Sequence, residues 1–79
     1  METQEILKRI IAEYERAEIK HPDWPVDIVH QTSIISEECG ELVREGNLIR
    51  EGEGNIENLI EECIQTAAMC FRLLKNLPE

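Results

Sequence analysis

Two short segments break an otherwise helical pattern. His21-Pro22-Asp23-Trp24-Pro25 sets two prolines three apart. Proline donates no backbone hydrogen bond and pushes the residue before it toward extended geometry. Glu51-Gly52-Glu53-Gly54-Asn55 has the composition of a turn. The three stretches left between these breaks carry apolar residues at three- and four-residue intervals, and none alternates as a strand would. The sequence therefore predicts an all-α chain: one unit over residues 1–79, with no internal repeat, linker or low-complexity tract.

The first helix is expected over 3–20, with Leu7, Ile10, Ile11, Tyr14 and Ala17 as its apolar stripe and Thr3 as its N-cap. Pro25 suits the first position of a second helix running to about Arg50. There Ile28, Thr32, Ile35, Cys39, Leu42, Gly46 and Ile49 form a continuous seam, and a second stripe of Ile34, Glu38, Glu41, Glu45 and Leu48 lies about 100° round the axis. Asn55 is expected to cap a third helix from Ile56, and Pro78 to end it. The short turn makes helices two and three antiparallel neighbours. Gly40, inside the first acidic cluster, suggests close approach of a helix or a ligand, and Gly46, on the seam, marks a bend or a tight subunit contact.

Size and charge narrow the possibilities. A chain of 79 residues buries only about 60% of its unfolded surface, and aromatics make up 4%. Assembly of several copies into a helical bundle is the natural way to enlarge such a core. Seventeen acids against eight bases give a net charge of −9, which argues against a nucleic-acid duplex or an anionic membrane as partner. No apolar run approaches the roughly 20 residues of a membrane span. The acidic start lacks the basic and apolar segments of a secretory signal, so a cytoplasmic protein is expected. Three cysteines fit no disulfide framework; Cys39, Cys63 and Cys70 fall in apolar helical patterns and are expected to be buried thiols.

Within this frame the acids are not evenly spread. Glu37-Glu38-Cys39-Gly40-Glu41 is followed, twenty residues after Glu41, by Glu61-Glu62-Cys63-Ile64-Gln65. In each, side chains three and four apart share a helical face. The turn lies about equally far from both clusters, so an antiparallel pair brings them level. Gathered carboxylates repel and raise one another's pKa; a hard divalent cation, which favours oxygen ligands, relieves that cost. Solvated helix faces are the plainer reading of such glutamates.

Glu38-x-x-Glu41, then Glu62-x-x-Gln65, with Ile35-Ser36-Glu37-Glu38-Cys39-Gly40-Glu41-Leu42 around the first pair, resembles the ExxE…ExxD signature of MazG-like, all-α nucleotide pyrophosphohydrolases. The resemblance covers roughly residues 24–77. It implies Mg²⁺-dependent hydrolysis of nucleoside triphosphates, including deoxy or noncanonical ones, to monophosphate and pyrophosphate by a homodimer or homotetramer. Mn²⁺ would substitute for Mg²⁺. By position Glu38, Glu41, Glu62 and Gln65 would be metal ligands, and Glu37 and Glu61 the water-orienting base or its supports. Gln65 stands where the family pattern has Asp. Its amide oxygen can ligate without charge, so a binding module without turnover stays open beside the enzyme, as does a structural oligomer.

Four further residues have both a functional and a structural reading. Arg72, on the face of Gln65, and Lys75 can clamp a phosphate oxygen or serve as surface bases at a helix C-terminus. His30, two turns before Glu38, can meet a base or phosphate or be solvated. Trp24 can stack on a nucleobase or seal the end of a small core. Glu18-x-x-His21 is half of a di-iron motif, but no second half is present and Pro22 follows at once.

Overall fold

Helix α1 spans Thr3–Lys20, α2 Ile28–Arg50 and α3 Ile56–Asn76 in the computed structural model, which describes residues 1–78. Among these residues there is no strand. No helix among the described residues is long and apolar enough to cross a membrane.

Local chemistry sets the helix ends, and two differ from expectation. Glu2, not Thr3, is the N-cap of α1, without a side-chain cap bond; its carbonyl accepts from the Ile6 N–H at 3.0 Å. Thr3 thereby becomes the first helical residue. Helix α2 begins at Ile28, three residues after Pro25. The cause is Gln31, whose side-chain amide donates to the carbonyls of Pro25 (2.9 Å) and Val26 (3.2 Å). Those carbonyls serve the amide, and Pro25-Val26-Asp27 leads into the helix with Asp27 at the N-cap. Asn55 caps α3 as its type suggests, its Oδ1 accepting from the Asn58 N–H at 2.8 Å.

The α2–α3 turn is closed by a Schellman arrangement. Gly52 N–H donates to Ile49 O (3.0 Å) and Glu53 N–H to Leu48 O (2.8 Å), and Gly52 takes the left-handed φ of 81° that such a cap requires. Gly54 is needed for a different reason: a Cβ there would stand 3.0 Å from both the Ile49 nitrogen and the Leu48 Cβ. Within the chain, nothing lies within 4 Å of a Cβ built at Gly40 or Gly46, so no neighbouring helix requires glycine at either.

Helix α3 is the central element. It packs on both α1 and α2, which do not pack on each other. Small side chains allow this: Ala17 of α1 meets Ala68 and Met69 of α3, and Tyr14, Trp24, Ile34 and Ile35 close around them. Phe71 meets the Tyr14 ring edge-on, centroids 4.7 Å apart. Among the described residues, only Ala17, Ala68 and Met69 form the buried apolar core.

Helix α2 is covered along both stripes: Ile35, Leu42, Gly46 and Ile49 of the seam and Ile34, Glu38, Glu45 and Leu48 of the acid-bearing stripe are partly buried, while Ile28, Thr32 and Cys39 of the seam and Glu41 of the stripe are exposed. The cysteines Cys39, Cys63 and Cys70 are exposed, not buried. On α1, Leu7 and Ile11 are about half exposed for want of a neighbour on their side.

Candidate metal centre

Glu38 and Glu41 sit three apart on α2, and Glu62 joins them from α3. One carboxylate oxygen from each lies within 4.8 Å of the others. The helices are tied together at this level by Thr66, whose hydroxyl donates to Glu62 O (2.8 Å) and lies 3.3 Å from Glu38 O. Thr66 is one turn beyond Glu62, so its hydroxyl fixes the backbone from which that carboxylate projects.

The electrostatics of the cluster are unfavourable as they stand. Glu38 is pushed above the usual carboxylate pKa, first by burial and then by the negative charges of Glu41, Glu13 and Glu37. Glu62 is pushed up by burial, then by the Glu41 charge and its carboxyl hydrogen bond, then by Glu38 and Glu45. Each of these influences acts in the same direction. Buried Oε2 atoms of Glu38, Glu45 and Glu62 have no hydrogen-bond donor among the described residues. A buried acceptor without a partner is costly. The three converging carboxylates, two of them with such oxygens and the third, Glu41, exposed, form a hard-oxygen donor set suited to a small divalent cation.

Sequence-expected residues divide around this centre. Gln65, half-buried one turn after Glu62, lines a space of about 160 Å³ together with Glu38, and also a larger groove of about 430 Å³ between α1 and α3. Glu61 lines that larger groove and is exposed. Glu37 is exposed and acts on Glu38 through its charge. His30 is exposed at the start of α2, and Lys75 is exposed in the last turn of α3. The structure gathers Glu38, Glu41 and Glu62, and leaves Glu37, Glu61, His30 and Lys75 on the periphery.

Arg72 is not the surface base its position near a helix end suggests. It is 3% exposed. Its Nη2 donates to His21 O, its Nε lies 3.4 Å from Glu18 Oε2, and its guanidinium stacks 4.8 Å from the centroid of the Trp24 ring. Both Arg72 and Trp24 thereby join α3 to the end of α1 and the segment after it. Arg72 still forms part of the wall of the smaller space that holds Glu38 and Gln65.

Two acids were not recognisable as site candidates from sequence. Glu45 belongs to the acid stripe but lies outside the ExxE spacing, yet it acts on Glu62. Glu13 comes from α1, where it pairs with Arg16 at 2.6 Å and acts on Glu38. Its position four residues before the buried Ala17, on the same helical face, was the only signal.

No family model matches the chain, and no curated protein or solved structure matches it.

Proposed function

We propose that this chain is a Mg²⁺-dependent nucleoside triphosphate pyrophosphohydrolase of the MazG-like kind. The observation that carries the reading is the convergence of Glu38, Glu41 and Glu62 from two helices to within 4.8 Å, with buried oxygens of Glu38 and Glu62 unpartnered. An antiparallel pairing of α2 and α3 is part of the proposal. It is supported by contacts that run in opposite senses along the two helices, Gly54 against Leu48 and Ile49 near the turn and Thr66 against Glu38 far from it.

In this reading Glu38, Glu41 and Glu62 hold the cation, Mg²⁺ or Mn²⁺. The bound ion would neutralise phosphate charge and lower the pKa of a water. Attack by that water's oxygen on the α-phosphorus breaks the bond to the bridging oxygen and releases pyrophosphate, leaving the monophosphate. Glu37 and Glu61 flank the centre as the candidates to take the water's proton. Gln65, by position, is the fourth ligand of the family pattern. The acting species is a cytoplasmic homodimer or homotetramer, supported by the apolar side chains the single chain leaves exposed. The test is pyrophosphate release from a panel of ribo- and deoxynucleoside triphosphates with Mg²⁺ or Mn²⁺. Turnover lost in Glu38→Gln and Glu62→Gln is expected; no turnover on any substrate at high protein concentration refutes the enzyme.

A second reading is nucleotide binding without turnover. It is favoured by the peripheral, exposed positions of Glu37 and Glu61, the two residues the family pattern offers as base. It predicts that Mg²⁺ with nucleotide raises the melting temperature while no pyrophosphate forms.

A further inference from the structure

Helix α1 brings a carboxylate of its own to the centre. Glu13 lies four residues before Ala17, on the face packed against α3, and its side chain is only 16% exposed. It lines the space of about 160 Å³ that Glu38 and Gln65 also line. Burial, then Glu41, then Glu13 hold the Glu38 carboxyl above its usual pKa, so the α1 carboxylate is near enough to be felt by a member of the trio.

The charges around this space are already matched. Arg16 donates to both Glu13 oxygens, Nε to Oε1 at 2.9 Å and Nη2 to Oε2 at 2.6 Å. Arg72 donates to His21 O and lies beside Glu18. Glu13 and Glu38 thus stand against Arg16 and Arg72, with His21 and Gln65 completing the polar lining. No surplus of positive charge is left to hold an anion. What is left is hydrogen-bonding capacity. The Glu38 Oε2 acceptor and the Arg72 Nε donor are buried without a hydrogen-bond partner among the described residues, and Arg72 is 3% exposed. A carboxylate has about four lone-pair sites, so each Glu13 oxygen keeps another beside the one Arg16 uses. At about 30 Å³ for each water, the space takes several.

We infer that Glu13 is an outer carboxylate of the cation site: it accepts hydrogen bonds from the waters of a divalent cation held by Glu38, Glu41 and Glu62, and Arg16 fixes its plane for that purpose. This role rests on the metal reading of the trio and makes Glu13 a positioning residue, not a ligand. Magnesium bound through a few carboxylates keeps several waters, and groups that hold the outer shell affect affinity strongly. The trio comes from α2 and α3 alone, and α1 does not pack on α2. Through Glu13 the cation is therefore coupled to the docking of α1. Such coupling is reciprocal: the cation tightens α1, and docked α1 raises the affinity for the cation.

Mn²⁺ is the probe, titrated into the full chain and followed by electron paramagnetic resonance. Hydrogen exchange of the α1 amides is measured in parallel, in a chelator and in Mg²⁺. Glu13→Gln is expected to weaken Mn²⁺ binding about tenfold, the size of loss that outer partners of a metal site show. Its metal-free melting temperature should stay level or rise, because a like charge beside Glu38 is gone and a pair with an exposed arginine is worth little. Glu15→Gln removes the same charge from an exposed position on α1 and should change Mn²⁺ affinity by less than about twofold, since distant exposed charges are screened. In the native chain the amides of residues 12–17 should exchange more slowly in Mg²⁺ than in chelator. In Glu13→Gln that difference should vanish. Native Mn²⁺ affinity in Glu13→Gln, with a lower metal-free melting temperature, would make Glu13 and Arg16 a structural pair and nothing more. An equal loss in Glu15→Gln, or Mg²⁺-dependent protection of α1 that survives in Glu13→Gln, also overturns the role of Glu13 and keeps the trio. A native chain that takes up no Mn²⁺ refutes the trio itself, and Glu13 with it.

Discussion

At the scale of single residues, burial combined with like charge makes Glu38 and Glu62 the best reporters of the centre. Both have pKa values raised from the ordinary 4.5, so the folded chain binds protons more readily than the unfolded one. The unfavourable term is absent below the unfolded pKa, where both states are protonated, and grows as pH rises through the folded pKa. Metal-free protein should therefore melt at a higher temperature near pH 5 than near pH 7, a gain reduced in Glu38→Gln/Glu62→Gln and reduced likewise by saturating Mg²⁺ in the native sequence. Calorimetric melts in a chelator and in Mg²⁺ measure both. If the gain survives the double substitution unchanged, it comes from the general acidity of the chain and not from these two groups. The trio was legible because three-residue spacing and the turn are local properties of the sequence. Glu13 was not, because its proximity to Glu38 arises from α1 packing on α3, which no local pattern encodes.

At the scale of elements, helix stops were easier to read than helix starts. The glycine turn announced itself through composition, and Gly52 supplies the left-handed residue of the cap. Gly52→Ala is expected to cost about 1–2 kcal/mol, measured by urea unfolding, with the trio's Mn²⁺ affinity falling as the two helices lose their fixed entry angle. The start of α2 was misplaced because Gln31 reaches back five and six residues to hold the Pro25 and Val26 carbonyls, a side-chain preference that proline rules do not contain. Arg72 shows the same limit. Its burial depends on His21, Glu18 and Trp24 coming from a different part of the chain. Replacing it by alanine removes a charged hydrogen bond and a cation–π contact and should destabilise by about 2–4 kcal/mol. Arg72→Lys should recover only part of that, since an ammonium lacks the planar fork and the stacking face. Equal stability of native and Arg72→Ala chains in urea would show that α1 is held by its apolar contacts alone.

At the scale of the whole molecule, α3 serves as a spine with one helix on either side, and the consequence is an open shape. The radius of gyration is 13.6 Å, against about 12 Å for a compact chain of this length, and just three apolar residues among those described are buried in the core. Helical class and element number followed from the two breaks in the sequence, and the covered face did in part. The seam of α2 is partly buried at Ile35, Leu42, Gly46 and Ile49, but its first residue and the side next to it stay open, with Ile28 51% and Val43 61% exposed. A second copy covering this outer face would enlarge the core while leaving the carboxylates lodged between α2 and α3. The native chain is then expected to sediment as a dimer or tetramer and to melt at a temperature that rises with protein concentration over about a hundredfold range. Val43→Glu, one turn after Cys39 on the exposed side, should shift sedimentation to the monomer and lower the melting temperature, because burying an unpaired carboxylate in that contact is costly. A native chain that sediments as a monomer, with a concentration-independent melt, would mean that three helices and their small core suffice, and that the exposed apolar side of α2 has no partner among copies of this chain.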